Sequence, residues 1–320
     1  MSSKIYSLSV EEFADRLTEL GPTAVATHIR PDGDTLGTSV AMCRILAALG
    51  KDAVLLPADN IPDRLLFLTE GLRIVDSAEG RSVVTCDVAS PAQLGSLYEK
   101  LPAAVLSLDH HSVSSPFAPN LTVADSSSAG EVLFDVLTVL AERGLVSITP
   151  EIAYPLYAAI SSDTGGFIYS SATPKTYRTA AALMEYGIDY ANINHRLFNS
   201  KSEKQIKAEG FVAANMHTDG NLSYAVITAK DRERLGIDSE HFETAIDVVR
   251  ARLGTEIAFV VKELVEGKYR VSLRSTGFNV ASVAEKFSGG GHVRAAGCTI
   301  TANTQDAVID MIKSEIKQKG

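Results

Sequence analysis

Four short stretches carry the side chains able to do chemistry: HIRPDGD (28–34), TCDVAS (85–90), LDHHS (108–112) and SSDTGGF (161–167). They supply His28, Asp32, Asp34, Asp87, Asp109, His110, His111 and Asp163. Carboxylates gathered in one place repel one another, and protonation or cations must relieve the repulsion. A mixed set of Asp and His suits Mn²⁺, Mg²⁺, Fe²⁺ or Zn²⁺ better than Ca²⁺, which prefers oxygen ligands alone. So many donors exceed what one open metal site uses. They suit two ions about 3.5–4 Å apart that share a carboxylate. Such a pair yields hydroxide at neutral pH and stabilises both the entering and the leaving oxygen, which is the chemistry of phosphoester hydrolysis.

Taken singly, the stretches say less. A lone Asp after a strand is usually a turn residue or a helix cap, and PDGD is by itself a good turn sequence. Paired histidines are more often surface or satisfied core residues than ligands. Their joint placement is what points to a metal site. The chain has 7 histidines, and His28, His110 and His111 all fall at predicted strand ends.

The elements that must position these residues are legible as apolar runs. AVAT (24–27) reads as a strand and runs into His28. SVVTC (82–86) runs into Asp87, and AAVLSL (103–108) into Asp109, His110 and His111. DAVLL (52–56) and LTVA (121–124) are further strands. Helical patterns lie between them at 9–20, 35–50, 128–143 and 150–162. Ser9 and Glu12 have capping-box spacing, and Thr149 with Pro150 suits a cap and first helical position. Strands separated by helices predict a doubly wound, mainly parallel α/β sheet. Ligands bind beyond the carboxyl ends of such strands, at the edge where these candidates converge.

The stretch 174–213 is helical in pattern, and a smaller α/β domain follows. LSYAVIT (222–228) reads as a strand, 256–275 as a hairpin turning at Glu266-Gly267, and 279–287 as a helix. A strand near 297–301 and a helix from about 304 complete it. The expected organisation is a catalytic domain over 1–190, a helical linker over 191–214 and a second domain over 215–320.

Composition excludes several classes. The chain has 320 residues, 45% hydrophobic and 22% charged, with net charge -9. An acidic chain is poorly suited to gripping long duplex nucleic acid, where phosphate neutralisation supplies most of the affinity. Cys43, Cys86 and Cys298 show neither a disulfide framework nor CxxC spacing. The first residues lack the apolar core of a signal peptide, and no stretch approaches the ~20 apolar residues of a membrane span. The expectation is a soluble cytoplasmic protein without a membrane partner.

The four ordered stretches resemble the motifs of the DHH phosphoesterase family. RSTGFNVASVAEKFSGGGHVRAAG (274–297) is similar to its DHH-associated C-terminal domain. The two-domain length resembles the stand-alone NrnA-type branch, which implies hydrolysis of short single-stranded oligoribonucleotides (nanoRNA) and of 3′-phosphoadenosine 5′-phosphate. Some relatives act on cyclic di-AMP or its linear product pApA. The resemblance implies that His28 and Asp32 hold a first metal, that Asp34, His110 and Asp163 hold a second, and that Asp87 bridges them. It places His111 near the substrate phosphate, with Asp109 orienting a histidine, so that His111, Asp87 and Asp109 form the catalytic group. Mn²⁺ is the implied ion, with Mg²⁺, Co²⁺ or Fe²⁺ as alternatives, and a homodimer is compatible with the family.

In the second domain, Gly289, Gly290 and Gly291 permit positive φ and an anion-binding nest of successive amides. His292 and the Arg274 fork can add donors to a phosphate. The plain alternative is a turn leading into helix-like VRAAG, and the resemblance favours substrate binding. Ser288 stands where many relatives have a fourth glycine. Two rivals follow. A DHH-type pyrophosphatase should present a basic cluster, which GGGH with one Arg274 does not. A non-catalytic nucleotide sensor should lack ligands, and every motif ligand is present.

Overall fold

The computed structural model describes residues 6–319. Its contacts divide the chain into two compact units, residues 1–200 and 201–320. The expected linker, 191–214, is shared between them. Ile193 belongs to the first core, whereas Ala208 and Val212 belong to the second.

The first unit holds β1 (Thr23–Ala26), β2 (Ala53–Leu56), β3 (Ser82–Cys86), β4 (Ala104–Asp109) and β5 (Asn120–Thr122). They form one sheet in the order β2-β1-β3-β4-β5, and every pairing is parallel. All four residues of β1 are buried, as expected where helices cover both faces of a parallel sheet. The helices are α1 (Val10–Glu19), α2 (Gly33–Ala48), α3 (Ala129–Glu142), α4 (Pro150–Asp163), α5 (Pro174–Met184) and the short α6 (Tyr190–Asn194). The Ser9–Glu12 capping box is formed at α1. Strand order reverses between β1 and β3, and a switch point of that kind opens a crevice at the carboxyl ends.

Helices α2 and α4 pack unusually close, and glycine permits it. A Cβ on Gly33 would sit 2.4 Å from the Ser162 hydroxyl, and one on Gly37 would sit 2.5 Å from the Pro155 carbonyl. The glycines of DGDTLG thus draw α2 against the helix that carries Asp163.

The second unit contains α7 (Glu203–Ala214), β6 (His217–Asp219), β7 (Leu222–Ile227), α8 (Ala229–Leu235), α9 (Ala245–Arg250), β8 (Ile257–Val265), β9 (Lys268–Ser275), α10 (Val280–Glu285), β10 (Gly290–His292), β11 (Ala295–Thr301) and α11 (Gln305–Lys319). Its sheet runs β10-β11-β9-β8-β7-β6, with β7 and β8 parallel and the rest antiparallel. Along β8, Ile257, Phe259 and Val261 enter one core while Ala258 and Val260 enter the other, the period-two alternation of a strand covered on both faces. The β8–β9 hairpin turns at Glu266-Gly267, where Gly267 has φ +75°. VRAAG is not helical, since its last residues begin β11. No helix among the described residues is long and apolar enough to cross a membrane.

Candidate metal centre

The carboxyl ends of β1, β3 and β4 and the last turn of α4 bring the predicted residues of the first unit together. Thr35 fixes two of those ends. Its hydroxyl donates to the Cys86 carbonyl at 2.8 Å and accepts from the His28 amide at 3.3 Å. Asp32 is the N-cap of α2, accepting from the amides of Asp34 and Thr35 at 3.0 and 3.1 Å. It also faces His28, with Nε2 to Oδ1 at 3.7 Å. The cap and a candidate metal ligand therefore coincide in one side chain.

Asp87 stands at the centre. One of its oxygens lies 3.5 Å from His28 Nε2 and the other 3.6 Å from His110 Nε2. His110 Nε2 is also 3.6 Å from both Asp34 and Asp163. Two donor sets with no residue in common result, His28–Asp32–Asp87 and Asp34–His110–Asp163, joined through Asp87, and a third, Asp87–His110–His111, overlaps both. The Asp87 backbone is left-handed at φ +60°, an uncommon conformation for a residue with a side chain. Strain of this kind concentrates at functional sites.

These contacts fit metal ligation better than mutual hydrogen bonding. Separations of 3.5–3.7 Å are too long for hydrogen bonds. Ligands each about 2.1 Å from a shared ion stand roughly 3–3.5 Å apart at right or tetrahedral angles. Asp87 Oδ1 is buried and accepts no hydrogen bond, a costly state that a cation would relieve. Backbone carbonyls hold the far ring nitrogens. His28 Nδ1 lies 2.8 Å from the Ile29 carbonyl and His110 Nδ1 3.2 Å from that of Ser126, which leaves each Nε2 turned to the carboxylates.

The electrostatics agree. Burial raises Asp34 well above the ordinary carboxylate range, and Asp87, Asp163 and Asp32 add to the effect. Burial pushes Asp163 up to about 6, with Asp87 and Asp32 adding and His110 opposing. At His28 burial favours the neutral ring, but Asp32 and Asp87 outweigh it and raise the imidazole to about 11.

His111 adjoins both His110 and Asp87. Its Nδ1 lies 2.7 Å from Asp109 Oδ1 and 3.4 Å from Asp87. The Asp109 hydrogen bond raises the ring to about 9 and keeps it cationic near neutral pH. Asp109 is buried and also accepts from the His110 amide at 2.8 Å.

Sequence reading missed the loop Ser126–Gly130. The amides of Ala129 and Gly130 donate to Asp34 at 2.8 and 3.0 Å, and Thr38 adds a hydroxyl at 3.1 Å. Most of these donors are backbone groups, which carry no residue-specific signal.

In the second unit, the glycine run is an edge strand rather than a nest of free amides. Gly291, at φ +143°, packs so closely on β11 that a Cβ would lie 2.4 Å from the Ala295 carbonyl. A Cβ on Gly289 would lie 2.3 Å from the Gly297 carbonyl. Register aligns His292 with Ala295 and Ala295 with Arg274, so His292 and Arg274 share one row across three strands. The Arg274 guanidinium donates to the Leu273 carbonyl at 3.0 Å. The His292 side chain lies outside the described residues.

Comparison with known proteins follows the same division. Residues 22–160 match the DHH family N-terminal domain, and residues 219–318 match the DHHA1 domain. A bifunctional oligoribonuclease and PAP phosphatase NrnA of Thermus thermophilus is 32% identical over 312 residues, spanning 94% of this chain and 92% of the relative. A protein of the same description from Bacillus subtilis is 28% identical over 278 residues, spanning 85% and 87%. In fold, an exopolyphosphatase-related protein from Bacteroides fragilis matches with a TM-score of 0.88 at 20% identity, over 97% of this chain and 95% of that one. RecJ from Thermus thermophilus in complex with Mn²⁺ matches with a TM-score of 0.55 at 16% identity, over 97% of this chain and 54% of RecJ. With ordered Asp and His motifs at the strand ends of its first unit and a DHHA1 domain as its second, this chain belongs to the DHH family of phosphoesterases.

Proposed function

We propose that the chain is a cytoplasmic, Mn²⁺-dependent phosphoesterase. It cleaves short oligoribonucleotides and dinucleotides such as pApA to mononucleotides, and converts 3′-phosphoadenosine 5′-phosphate to AMP. The observation that carries the reading is Asp87, whose two oxygens face separate donor sets 3.5 and 3.6 Å away. His28, Asp32 and Asp87 would hold one ion, and Asp34, His110, Asp163 and Asp87 the other. Two bound divalent ions would supply the activated water and charge neutralisation for displacement at phosphorus.

The chain's own residues do the rest. His111, oriented by its hydrogen bond to Asp109, is poised to stabilise negative charge on a phosphoryl oxygen. In the second unit, Arg274, Gly289, Gly290, Gly291 and His292 would bind the remaining phosphate or nucleotide. Relatives described as oligoribonuclease and PAP phosphatase over most of the chain support this substrate class.

The test is product analysis with purified protein and Mn²⁺. The panel is pApA, a five-nucleotide RNA, 3′-phosphoadenosine 5′-phosphate, cyclic di-AMP and pyrophosphate. Mononucleotides from pApA or the short RNA are the expected result. Turnover of cyclic di-AMP or pyrophosphate alone would overturn the substrate assignment and keep the metal centre. No turnover by a folded, metal-loaded sample would point to a nucleotide sensor.

A further inference from the structure

Among the described residues Glu131 is hydrogen-bonded to none of the proposed ligands, yet it is one of the most deeply buried charges, 1% exposed on the first turn of α3. A carboxylate in such a place needs a compensating function or compensating donors. Its Oε2 accepts from the Ser126 hydroxyl at 2.8 Å and from the Ser127 amide at 2.8 Å. Ser128, the N-cap of α3, accepts from the Glu131 amide at 3.0 Å. This is a variation on the capping box. The carboxylate reaches past the cap residue and fastens the loop in front of it.

That loop holds two ligands of one donor set. The Ser126 carbonyl faces His110 Nδ1 at 3.2 Å and so orients the ring that points Nε2 at Asp34, Asp87 and Asp163. Ala129 and Gly130 present their amides to Asp34 at 2.8 and 3.0 Å. Packing fixes the same turn from the other side, since a Cβ on Gly130 would come 2.6 Å from that of Ala159 on α4. Among the described residues, the hydrogen bonds of the 126–131 segment to the centre go to His110 and Asp34 and not to His28 or Asp32.

We infer that Glu131 is a positioning residue for one half of the centre: through Ser126 and Ser127 it sets His110 and Asp34 in place to take the second divalent ion. The inference rests on the two-ion reading above. Partners one shell beyond a metal ligand typically change affinity by about 10–100-fold when removed. Here the loss should fall on the Asp34–His110–Asp163 subsite alone.

The test titrates the metal-free full-length chain with Mn²⁺ and reads stoichiometry by equilibrium binding and ion–ion coupling by electron paramagnetic resonance. The wild-type chain should bind two ions and give the spectrum of an exchange-coupled pair. Glu131→Ala should keep one ion at near wild-type affinity, weaken the second about 10–100-fold, and give the six-line spectrum of an isolated Mn²⁺. Glu131→Gln, whose carbonyl oxygen can accept both loop bonds, should restore the coupled pair. If Glu131→Ala fails to fold, Ser126→Ala removes one of the two bonds and should weaken the second ion selectively, by a smaller factor. Two ions at unchanged affinity in Glu131→Ala, equal weakening of both, or no rescue by Gln would overturn the inference. A wild-type chain that binds only one ion, or none, would instead overturn the two-ion reading, and the inference with it.

Discussion

Asp109 Oδ1 and His111 Nδ1 lie 2.7 Å apart, the shortest of the contacts that join the site's carboxylates and imidazoles. The same oxygen accepts from the His110 amide at 2.8 Å. One buried carboxylate thus fixes the backbone of a proposed ligand and the charge of the neighbouring ring. Asp109→Asn keeps the acceptor and removes the charge. The expected outcome is a fall in kcat of about 10–100-fold, with two Mn²⁺ still bound. Loss of an ion in the binding assay would mean that Asp109 serves His110 more than His111.

Asp87 faces both donor sets, so its removal should damage both. Asp87→Ala should abolish turnover of pApA, and retention of most activity in a metal-loaded sample would sink the bridging role. The metal-free protein should respond in the opposite sense. It loses a carboxylate that burial, with Asp32 adding and His28 and His110 opposing, holds above its ordinary range, and that carries an oxygen without a hydrogen bond. Asp87→Asn, which also suits a left-handed backbone, should raise the melting temperature of the metal-free chain. A gain of about 1 kcal/mol corresponds to roughly 2–4 °C. It should also lose most of the stabilisation that Mn²⁺ gives the wild type.

Much of this site was legible in sequence because its signals are residue-specific. Short apolar runs ending in His28, Asp87 and Asp109 locate strand ends, and the ends of parallel strands are where ligands bind. What stayed hidden is carried by the backbone or by packing. The left-handed turn at Asp87 has no glycine to advertise it. Ala129 and Gly130 act through amides that every residue but proline possesses. In the second unit, glycine and alanine blur the alternation that marks a strand, so 289–297 reads as a loop running into a helix although β10 and β11 pair there. The unassigned stretch 229–250 did carry signals. Thr228 and Asp231 form a capping box, and Gly236 ends α8 in a left-handed cap.

Arg274 on β9 is separated from the glycine strand β10 by β11, in register with Ala295 and, across it, with His292. If it binds the far phosphate equally in ground and transition states, its loss should weaken binding without slowing chemistry. Arg274→Ala should therefore raise KM for pApA about tenfold or more, in line with about 1.5–3 kcal/mol for a hydrogen bond to a charged group, and leave kcat within about threefold. A change confined to kcat, measured by initial rates across substrate concentration, would move Arg274 to the reacting centre.

Ser288 ends α10 in a strained way. Its φ is +55°, its amide donates to the Glu285 carbonyl at 3.1 Å, and the Gly289 amide reaches back to Ala284 at 2.9 Å. This pair of bonds is a Schellman motif with serine in the position that glycine usually fills. A side chain there costs about 1–2 kcal/mol, while the extra freedom of glycine in the unfolded chain returns about 0.5–1 kcal/mol of that. Ser288→Gly should therefore stabilise the second unit by about 0.5–1 kcal/mol. It should do so without altering Mn²⁺ stoichiometry, because every proposed ligand lies in the first unit. Calorimetry on the full chain provides the check, and a lower melting temperature would show that the Ser288 side chain makes a contribution larger than its backbone strain.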